Sequence, residues 1–431
     1  MRVLHTSDWH LGHTFCDRSR ADEQAFFLRW LRSTIEENDI DALVVAGDIF
    51  DTTNPPAEAL SAYYGFLASL NPMGLARPSG RKLRAIVVGG NHDSPARLTA
   101  PRDILDAIDV TVVGGHDPAR ESVFLGDAAG VLVPLKGPSG EVELVVAAVP
   151  FLHDSSLGVR GLDGAEDEVR AQMARAFREV YTRLADKAQA AFPGVPIMAT
   201  GHLTCLASEG AFPTEEDAVP RPIHRVGSIG ALGPGVFDER LRYVALGHIH
   251  RGFAVDAAGR VHYSGTPVQV STVEGAGSRR VLRVDIDEKP LKLHSINVPQ
   301  RRRLVRIAGS LDEVIASLRG TGAKGDELPP YVTAEVGLVS PNPRAEEQVF
   351  QAAERMGAGG AQVLAVRTRV VHRADASPVA SPTADTRDLS PEEAFLFAWR
   401  LKYPDATPSP QILQRFRSLL DGVHPPAELS K

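Results

Sequence analysis

The sequence contains little cysteine and no long apolar run. Cys16 and Cys205 are the only two cysteines among 431 residues, which excludes a disulfide framework and a cysteine-rich zinc site. No apolar run is long enough to span a membrane, and the N-terminal "MRVLHTSDWHLG" lacks the apolar core of a signal peptide. We therefore expect a protein of the reducing cytoplasm that is not bound to a membrane.

The sequence also lacks an excess of positive charge. Its 47 lysines and arginines are outnumbered by 54 acidic residues, which gives a net charge of −7. The chain as a whole is therefore no general binder of polyanions, and any contact with nucleic acid must come from local basic patches. The candidates for such contacts are Arg18, Arg20, Arg251 and Arg301. For each of them, a solvated surface charge is the alternative.

A chain of 431 residues is too long for one ordinary core, so we expect at least two domains. Over residues 1–298, β-branched runs such as "DALVVAG" alternate with helical stretches such as "RADEQAFFLRWLRSTIEEND", and short hairpin-like strands follow after residue 242. This order predicts an α/β (α+β) domain in which two sheets pack together with helices outside.

The remainder of the chain predicts three further segments. Residues 299–373 have the order strand, helix, strand, helix, strand, which predicts a small βαβαβ domain. The stretch "RADASPVASPTADTRD" is rich in Pro, Ser and Ala and indicates a linker over 374–387. Residues 388–431 predict two short amphipathic helices that are too small to form a core alone. Their apolar residues must therefore pack on this chain or on a partner.

Five predicted strands share one pattern, in which an apolar run and a small residue precede side chains that can bind a metal. The runs are "VLHTSDWH" with Asp8 and His10, "LVVAGDIFD" with Asp48 and Asp51, "IVVGGNHD" with Asn91, His92 and Asp93, "IMATGH" with His202, and "VALGHIH" with His248 and His250. Residues two apart in a strand point to the same side, and binding sites form at the carboxyl ends of such strands. Alone, each motif would indicate a turn, a helix cap or a buried polar residue. Together they predict one site.

The side chains of this set are carboxylates, imidazoles and one amide, without a thiolate. Such donors suit Mn²⁺, Fe or Zn²⁺ better than Cu(I) or an iron–sulfur cluster. Without Asp51, Asp93 and His92, the set still offers seven candidate ligands, which are too many for one ion. They are about right for two ions that share a bridging carboxylate, the arrangement used for phosphoester displacement. The leaving oxygen needs a proton, which His92 can supply if it does not bind the metals.

The phrases "SDWHLG", "GDIFD", "GNHD", "GH" and "GHIH" resemble the calcineurin-like metallophosphoesterase superfamily. With "YSGTPVQVSTVE", the small domain and the helical tail, most of the chain resembles the SbcD family, the nuclease subunits of bacterial SbcCD complexes. The resemblance implies one ion held by Asp8, His10, Asp48 and His250, and a second held by Asp48, Asn91, His202 and His248. His92 would be the proton donor. Asp51 stands where several relatives have a histidine, and it would assist catalysis or orient a ligand or water.

The resemblance also implies an activity and partners. Members of the family favour Mn²⁺, cut double-stranded DNA ends as exonucleases, and cut single strands and hairpins as endonucleases in DNA repair, recombination and replication. Their small domain, here 299–373, helps to position DNA. Their helical tail, here 388–431, docks on an SMC-like ATPase of the SbcC type. Family members also form homodimers, so a nucleoid-associated homodimer is implied here.

Two other functions are compatible with the residues. A small-molecule phosphodiesterase or phosphatase could use the same fold, but small substrates need neither the small domain nor the linker and tail. A non-catalytic scaffold would be expected to have lost ligands, whereas every ligand position and His92 are filled here.

Overall fold

The computed structural model describes residues 1–70, 79, 81–115, 131–157, 166–207, 231–274, 277–287 and 290–370, and in the tail residues 395, 399, 408, 409, 411–413, 415 and 416. The strands are β1 (Arg2–Thr6), β2 (Thr14–Phe15), β3 (Arg18–Ser19), β4 (Ala42–Ala46), β5 (Arg84–Val88), β6 (Val110–Val113), β7 (Leu132–Lys136), β8 (Val142–Ala147), β9 (Ile197–His202), β10 (Leu241–Gly247), β11 (Phe253–Ala254), β12 (Val261–Tyr263), β13 (Arg280–Asp285), β14 (Lys292–Asn297), β15 (Leu304–Ser310), β16 (Tyr331–Leu338) and β17 (Gln362–Val370). The α-helices are α1 (Ala21–Glu37), α2 (Ala57–Ser69), α3 (Pro95–Thr99), α4 (Arg102–Asp106), α5 (Glu166–Ala191), α6 (Leu311–Arg319) and α7 (Ala345–Glu354).

Two six-stranded sheets form the N-terminal part of the fold. The strand order is β14-β13-β1-β4-β5-β6 in the first sheet and β11-β12-β10-β9-β8-β7 in the second. The central strands of both sheets run parallel, whereas β13, β14, β7 and β11 pair antiparallel. The predicted mixed α/β fold with two sheets is confirmed.

The two sheets face each other across an apolar core. Val3 and Val44 from the first sheet and Met198 and Tyr243 from the second all belong to this core and are fully buried. Strand β4, with the sequence ALVVA, is buried on both faces because helices cover its other side. A continuous β-branched run of this kind is typical of a central parallel strand.

Helices cover the outer faces of both sheets. Helix α1 packs Phe27 and Leu31 onto the first sheet, in a cluster that also includes α2. Helix α5 packs Tyr181 and Leu184 onto the second sheet. The apolar residues of α1 recur at helical spacing, so burial of one face accounts for its position.

The small domain has the predicted order strand, helix, strand, helix, strand. Its three parallel strands lie in the order β15-β16-β17, and Val314 of α6 and Val349 of α7 pack on the sheet in a separate apolar cluster. Helix α6 begins at a capping box of Ser310 and Glu313. The domain is tied to α1 by Arg302, whose Nε donates to Glu23 Oε1 at 2.8 Å.

The chain divides into two compact units, residues 1–370 and 371–431. The predicted linker over 374–387 and most of the predicted tail over 388–431 lie outside the described residues. Within the tail, the ring of Phe395 stacks on Phe416 with centroids 4.2 Å apart, and Trp399 lies 5.9 Å from Phe395. None of the helices in the described part of the chain has both the length and the apolar character that crossing a membrane requires.

Candidate metal centre

The predicted ligands converge at the carboxyl ends of five strands. Asp8 and His10 follow β1, Asp48 follows β4, and Asn91 follows β5 in the first sheet. His202 is the last residue of β9, and His248 and His250 follow β10 in the second sheet. The two sheets therefore supply candidate ligands from opposite sides. Asp8, His10, Asp48, His202 and His248 are buried, and His250 is partly buried.

Left-handed turns, not strand alternation, aim several of these side chains. The backbone φ angle is positive at Asp8 (54°), His10 (45°), Asp48 (49°) and His248 (99°). Non-glycine residues seldom adopt this conformation, and it costs of the order of 1 kcal/mol or more per residue. We expected a regular strand to point His248 and His250 to the same side. This expectation is wrong, because β10 ends at Gly247 and both histidines lie beyond it.

The first ligand group contains Asp8, His10 and His250. Their ligand atoms lie within 4.8 Å of one another, and His10 Nε2 is 3.1 Å from His250 Nε2. The carboxylate of Asp8 is oriented by two donors, Ser7 Oγ at 2.6 Å and the backbone N–H of His248 at 2.8 Å. The three side chains can therefore direct their ligand atoms at one metal ion.

The second ligand group contains Asp48, His202 and His248, again with ligand atoms within 4.8 Å of one another. Asn91 belongs to it as well, since its Oδ1 lies 3.0 Å from both His202 Nε2 and His248 Nδ1. His202 is oriented by its Nδ1–H, which donates to Ala46 O at 2.9 Å. That approach requires glycine at position 47, because a Cβ there would lie 2.1 Å from His202 Nδ1.

Asp48 belongs to the second group and also lies close to the first. Its Oδ2 is 3.3 Å from His202 Nε2 in the second group and 3.8 Å from His10 Nε2 in the first. Its Oδ1 accepts from the backbone N–H of His92 at 2.9 Å. A single carboxylate can therefore face both groups, which is the position of a bridging ligand.

The donor geometry fits divalent cations. Two imidazole nitrogens bound at right angles to one ion, each about 2.1 Å from it, lie about 3 Å apart, as the Nε2 atoms of His10 and His250 do. The donors are oxygen and imidazole nitrogen, the set that Mn²⁺, Fe and Zn²⁺ accept. These residues thus form two groups that are suited to divalent metal ions.

The charges of the centre depend on one another. Burial raises the pKa of Asp8, whereas at Asp48 the charge of His202 and other histidines outweighs burial and holds the pKa well below its usual range. Burial opposes protonation of His202, but the Asp48 carboxylate outweighs it and raises the pKa of His202 to about 9. The buried carboxylates therefore need positive charge, which a proton supplies when no cation does.

His92 and Asp51 lie beside the first group and, together with His10, form a third cluster whose possible ligand atoms lie within 4.8 Å of one another. The imidazole Nδ1 of His92 donates to the backbone carbonyl of Asp51 at 2.7 Å, which leaves Nε2 as its remaining nitrogen. The Asp51 carboxylate lies 3.2 Å from His10 Nδ1 and 3.0 Å from His13 Nδ1. Asp51 thus contacts histidines, and this geometry is that of a residue that orients its neighbours.

Two acidic residues of the site have roles that the sequence pattern did not predict. Glu274 accepts from His250 Nδ1 at 2.8 Å, and its other oxygen lies 3.2 Å from Arg279 Nη2. Asp93 is part of "GNHD", and its carboxylate accepts from the backbone N–H of Ile49, Phe50 and Gly90. Glu274 belongs to the "STVE" segment that follows the histidine motif. Its contact with His250 could not be predicted from local sequence, because the two residues are 24 positions apart.

The four arginines proposed for DNA contact differ in how exposed they are. Arg18 and Arg251 are exposed and Arg301 is partly buried, where it lies 5.9 Å from the ring of Phe26. Arg20 is 1% exposed. Its Nε donates to Glu23 Oε1 at 2.9 Å and its Nη1 to Gln269 O at 2.8 Å. The prediction that Arg20 contacts DNA is therefore wrong, because its guanidinium is buried and hydrogen-bonded within the fold.

Comparison with known proteins assigns the chain to a family. Residues 1–155 match the model of calcineurin-like phosphoesterases, and residues 300–403 match the model described as the type 5 capsule protein repressor C-terminal domain, SbcD_C. The chain is 33% identical to the SbcD subunit of nuclease SbcCD from Escherichia coli K12 over 343 residues, which is 78% of each chain. It is 32% identical to the protein of the same name from Rhodobacter capsulatus over 406 residues, or 93% of this chain and 94% of the relative. A third protein of that name, from Bacillus subtilis, is 31% identical over 66% of each chain. These matches and the two ligand groups agree in one conclusion: the chain belongs to the SbcD family of calcineurin-like phosphoesterases.

Proposed function

We propose that this chain is a metal-dependent DNA nuclease, the SbcD subunit of an SbcCD-type complex. It hydrolyses phosphodiester bonds at double-stranded DNA ends and in single strands and hairpins, and so takes part in DNA repair, recombination and replication. The observation that carries the proposal is the pair of ligand groups that face Asp48, with His92 beside them. Three named relatives are nucleases of this complex.

The ligand groups define which residues would hold the ions. Asp8, His10, Asp48 and His250 would hold one, and Asp48, Asn91, His202 and His248 the other. Two bound cations, for which we propose Mn²⁺, would lower the pKa of a water molecule and offset charge on the phosphoryl oxygens. Within the chain, Asp8 is held by Ser7, and His202 is held by Ala46, so that the donors stay aligned.

His92 is the proton donor in this proposal. Its Nδ1–H is committed to the Asp51 carbonyl, so Nε2 is the atom that can carry a proton to the leaving oxygen. The Asp51 carboxylate orients His10 and His13 and does not itself react.

The remaining parts of the proposal concern partners. The domain of residues 299–373 would position DNA, and residues 388–431 would bind an SbcC-type ATPase with SMC-like architecture. We also propose a nucleoid-associated homodimer. The match of the C-terminal family model across residues 300–403 supports the same domain organisation in this region as in the family.

Digestion of end-labelled duplex and hairpin DNA tests the proposed function. The purified chain is assayed with Mn²⁺, with EDTA, and with the ATPase and ATP. Mn²⁺-dependent cleavage of DNA is expected. Turnover of a chromogenic phosphodiester without any cleavage of DNA would instead indicate a small-molecule phosphodiesterase, and failure to bind any divalent ion would indicate a scaffold.

A further inference from the structure

A cavity of about 310 Å³ adjoins the metal centre on the side of His250. His250 lines the cavity and also belongs to the first ligand group. The cavity is polar, and its other lining residues include Arg251, Arg279, Arg280, Glu274, Ser264 and Thr266. A polar cavity with three arginines is suited to an anion.

One of these arginines serves the metal centre itself. Arg279 Nη2 lies 3.2 Å from Glu274 Oε2, and Arg279 Nη1 donates to His250 O at 3.4 Å. Its charge is thereby matched by a buried carboxylate. Because Arg279 is paired with Glu274, it is not a candidate for binding a ligand in the cavity.

Arg280 is different. It is partly buried, and no carboxylate or carbonyl among the described residues pairs with its guanidinium. The guanidinium lies against Gly252, where a Cβ would be 2.7 Å from Arg280 Nε. Burial lowers the pKa of Arg280, and the neighbouring charge of Arg251 lowers it further. The structure thus holds two positive charges close together in the lining of a polar cavity.

We propose that this cavity binds a backbone phosphate of the DNA strand beside the phosphate that is cleaved, with Arg280 as the principal ligand and Arg251 as the second. This inference rests on the proposed nuclease function. A guanidinium presents paired N–H donors that match a phosphate, and such a contact is strongest where water is partly excluded. Since the chain carries a net charge of −7, its affinity for DNA must come from local contacts of this type.

Binding of DNA to the metal-free full-length chain tests the cavity. Affinity for a fluorescein-labelled single-stranded oligonucleotide is measured by anisotropy in EDTA at several salt concentrations. We expect Arg280→Gln to weaken binding about tenfold, the value of one charge-assisted contact. The slope of log K against log salt should become shallower by about 0.7, as for one lost phosphate contact. Arg283→Gln is the matched control, because Arg283 lies on the same strand but pairs with Asp285 at 3.3 Å.

Turnover of a small chromogenic phosphodiester with Mn²⁺ is the second measurement, because this substrate has no neighbouring phosphate. Arg280→Gln should lose much less of this turnover than of its affinity for DNA. Affinity and salt slope equal to those of Arg283→Gln would overturn the cavity proposal while leaving the nuclease function intact. A wild-type chain that turns over the diester but never cuts DNA would overturn the nuclease function instead. If Arg280→Gln does not fold, Arg280→Lys decides: weaker binding than Arg283→Lys supports the cavity, and equal binding contradicts it.

Discussion

At the scale of single residues, three imidazoles of the site each donate Nδ1–H to a different acceptor. His202 donates Nδ1–H to Ala46, His250 donates Nδ1–H to Glu274, and His92 donates Nδ1–H to Asp51. Each of these bonds selects a tautomer and leaves Nε2 for the chemistry of the site. The role of each histidine is therefore set by a neighbour as much as by its own position.

Replacing His92 tests the division between binding and proton transfer. We expect His92→Gln to retain two Mn²⁺ per chain, because neither of the two groups to which we assign the ions includes His92. DNA cleavage should fall by about 10²–10⁴-fold, the usual contribution of a general acid. Metal content and turnover measured on the same preparation check this, with His294→Gln on β14 as a control for loss of a histidine elsewhere. Unchanged cleavage would remove His92 from the mechanism.

Glu274 provides a second test at this scale. Without its carboxylate, Nδ1 of His250 loses its acceptor and the ring is no longer held, so we expect Glu274→Ala to weaken binding of one Mn²⁺ by about 10–100-fold. Glu274→Gln retains an acceptor oxygen and should weaken it less. Calorimetric titration with Mn²⁺ resolves the two sites. Equal loss at both sites, or none, would show that Glu274 does not act through His250.

At the scale of elements, the site depends on turns that follow strands. The backbone N–H of Asp8 donates to Gly47 O at 2.9 Å, and that of His10 donates to Asp48 O at 3.1 Å, so the turns after β1 and β4 are bonded to each other. Asp93 accepts from the backbone N–H of Ile49 and Phe50, which ties the turn after β5 to the turn after β4, and from that of Gly90 within its own turn. This network maintains the left-handed conformations, which would be unfavourable in isolated loops.

The contact between the two sheets contains a titratable group. His5 of β1 is fully buried, with Nδ1 2.9 Å from the hydroxyl of Tyr243 and Nε2 3.1 Å from Leu246 O. Burial lowers the pKa of His5 to about 3, with a smaller contribution from His262. Unfolded histidine takes up its proton near pH 6.5. Between these two values the unfolded state binds more protons, so His5 contributes stability that is present above pH about 6.5 and is lost as the pH falls toward 3.

Unfolding measured from pH 7 to pH 4 tests this assignment. The melting temperature of the wild-type chain should fall with falling pH, and His5→Gln should show a smaller fall over the same range because the titrating group is absent. Tyr243→Phe is the control, since it removes the hydrogen bond but keeps the imidazole. An identical pH dependence in the wild type and His5→Gln would mean that other groups account for acid destabilisation.

At the scale of the whole molecule, the chain consists of two compact units. The first has its own apolar cores, whereas the second comprises only residues 371–431. The tail is therefore expected to serve binding and not the stability of the catalytic unit.

Deleting residues 388–431 tests this expectation. The shortened chain should retain its melting temperature within about 2 °C, because surface segments without a core contribute little to stability, and it should still turn over a chromogenic phosphodiester. Binding to the ATPase, measured by co-purification, should be lost. Unfolding of the shortened chain would place the tail helices in the core of the catalytic unit.

The sequence by itself determined the types of donor and the end of the sheets where they lie. Apolar β-branched runs that end in Asp, Asn or His specify strands and the residues that follow them, because strand propensity and hydrophobic pattern are local properties. The order of elements in the small domain followed for the same reason. These local features were sufficient to predict the two-sheet fold and that the seven candidate ligands would lie near one another.

Only the tertiary structure decided which residues act together. His248 and His250 face different ligand groups because a left-handed turn, stabilised by contacts with Asp8 and Asn91, separates them. Glu274 contacts His250 across 24 residues of sequence, and Arg20 is held in the interior by a hydrogen bond to the carbonyl of Gln269. These are long-range contacts, whose energies arise from packing between strands and sheets that no local pattern encodes.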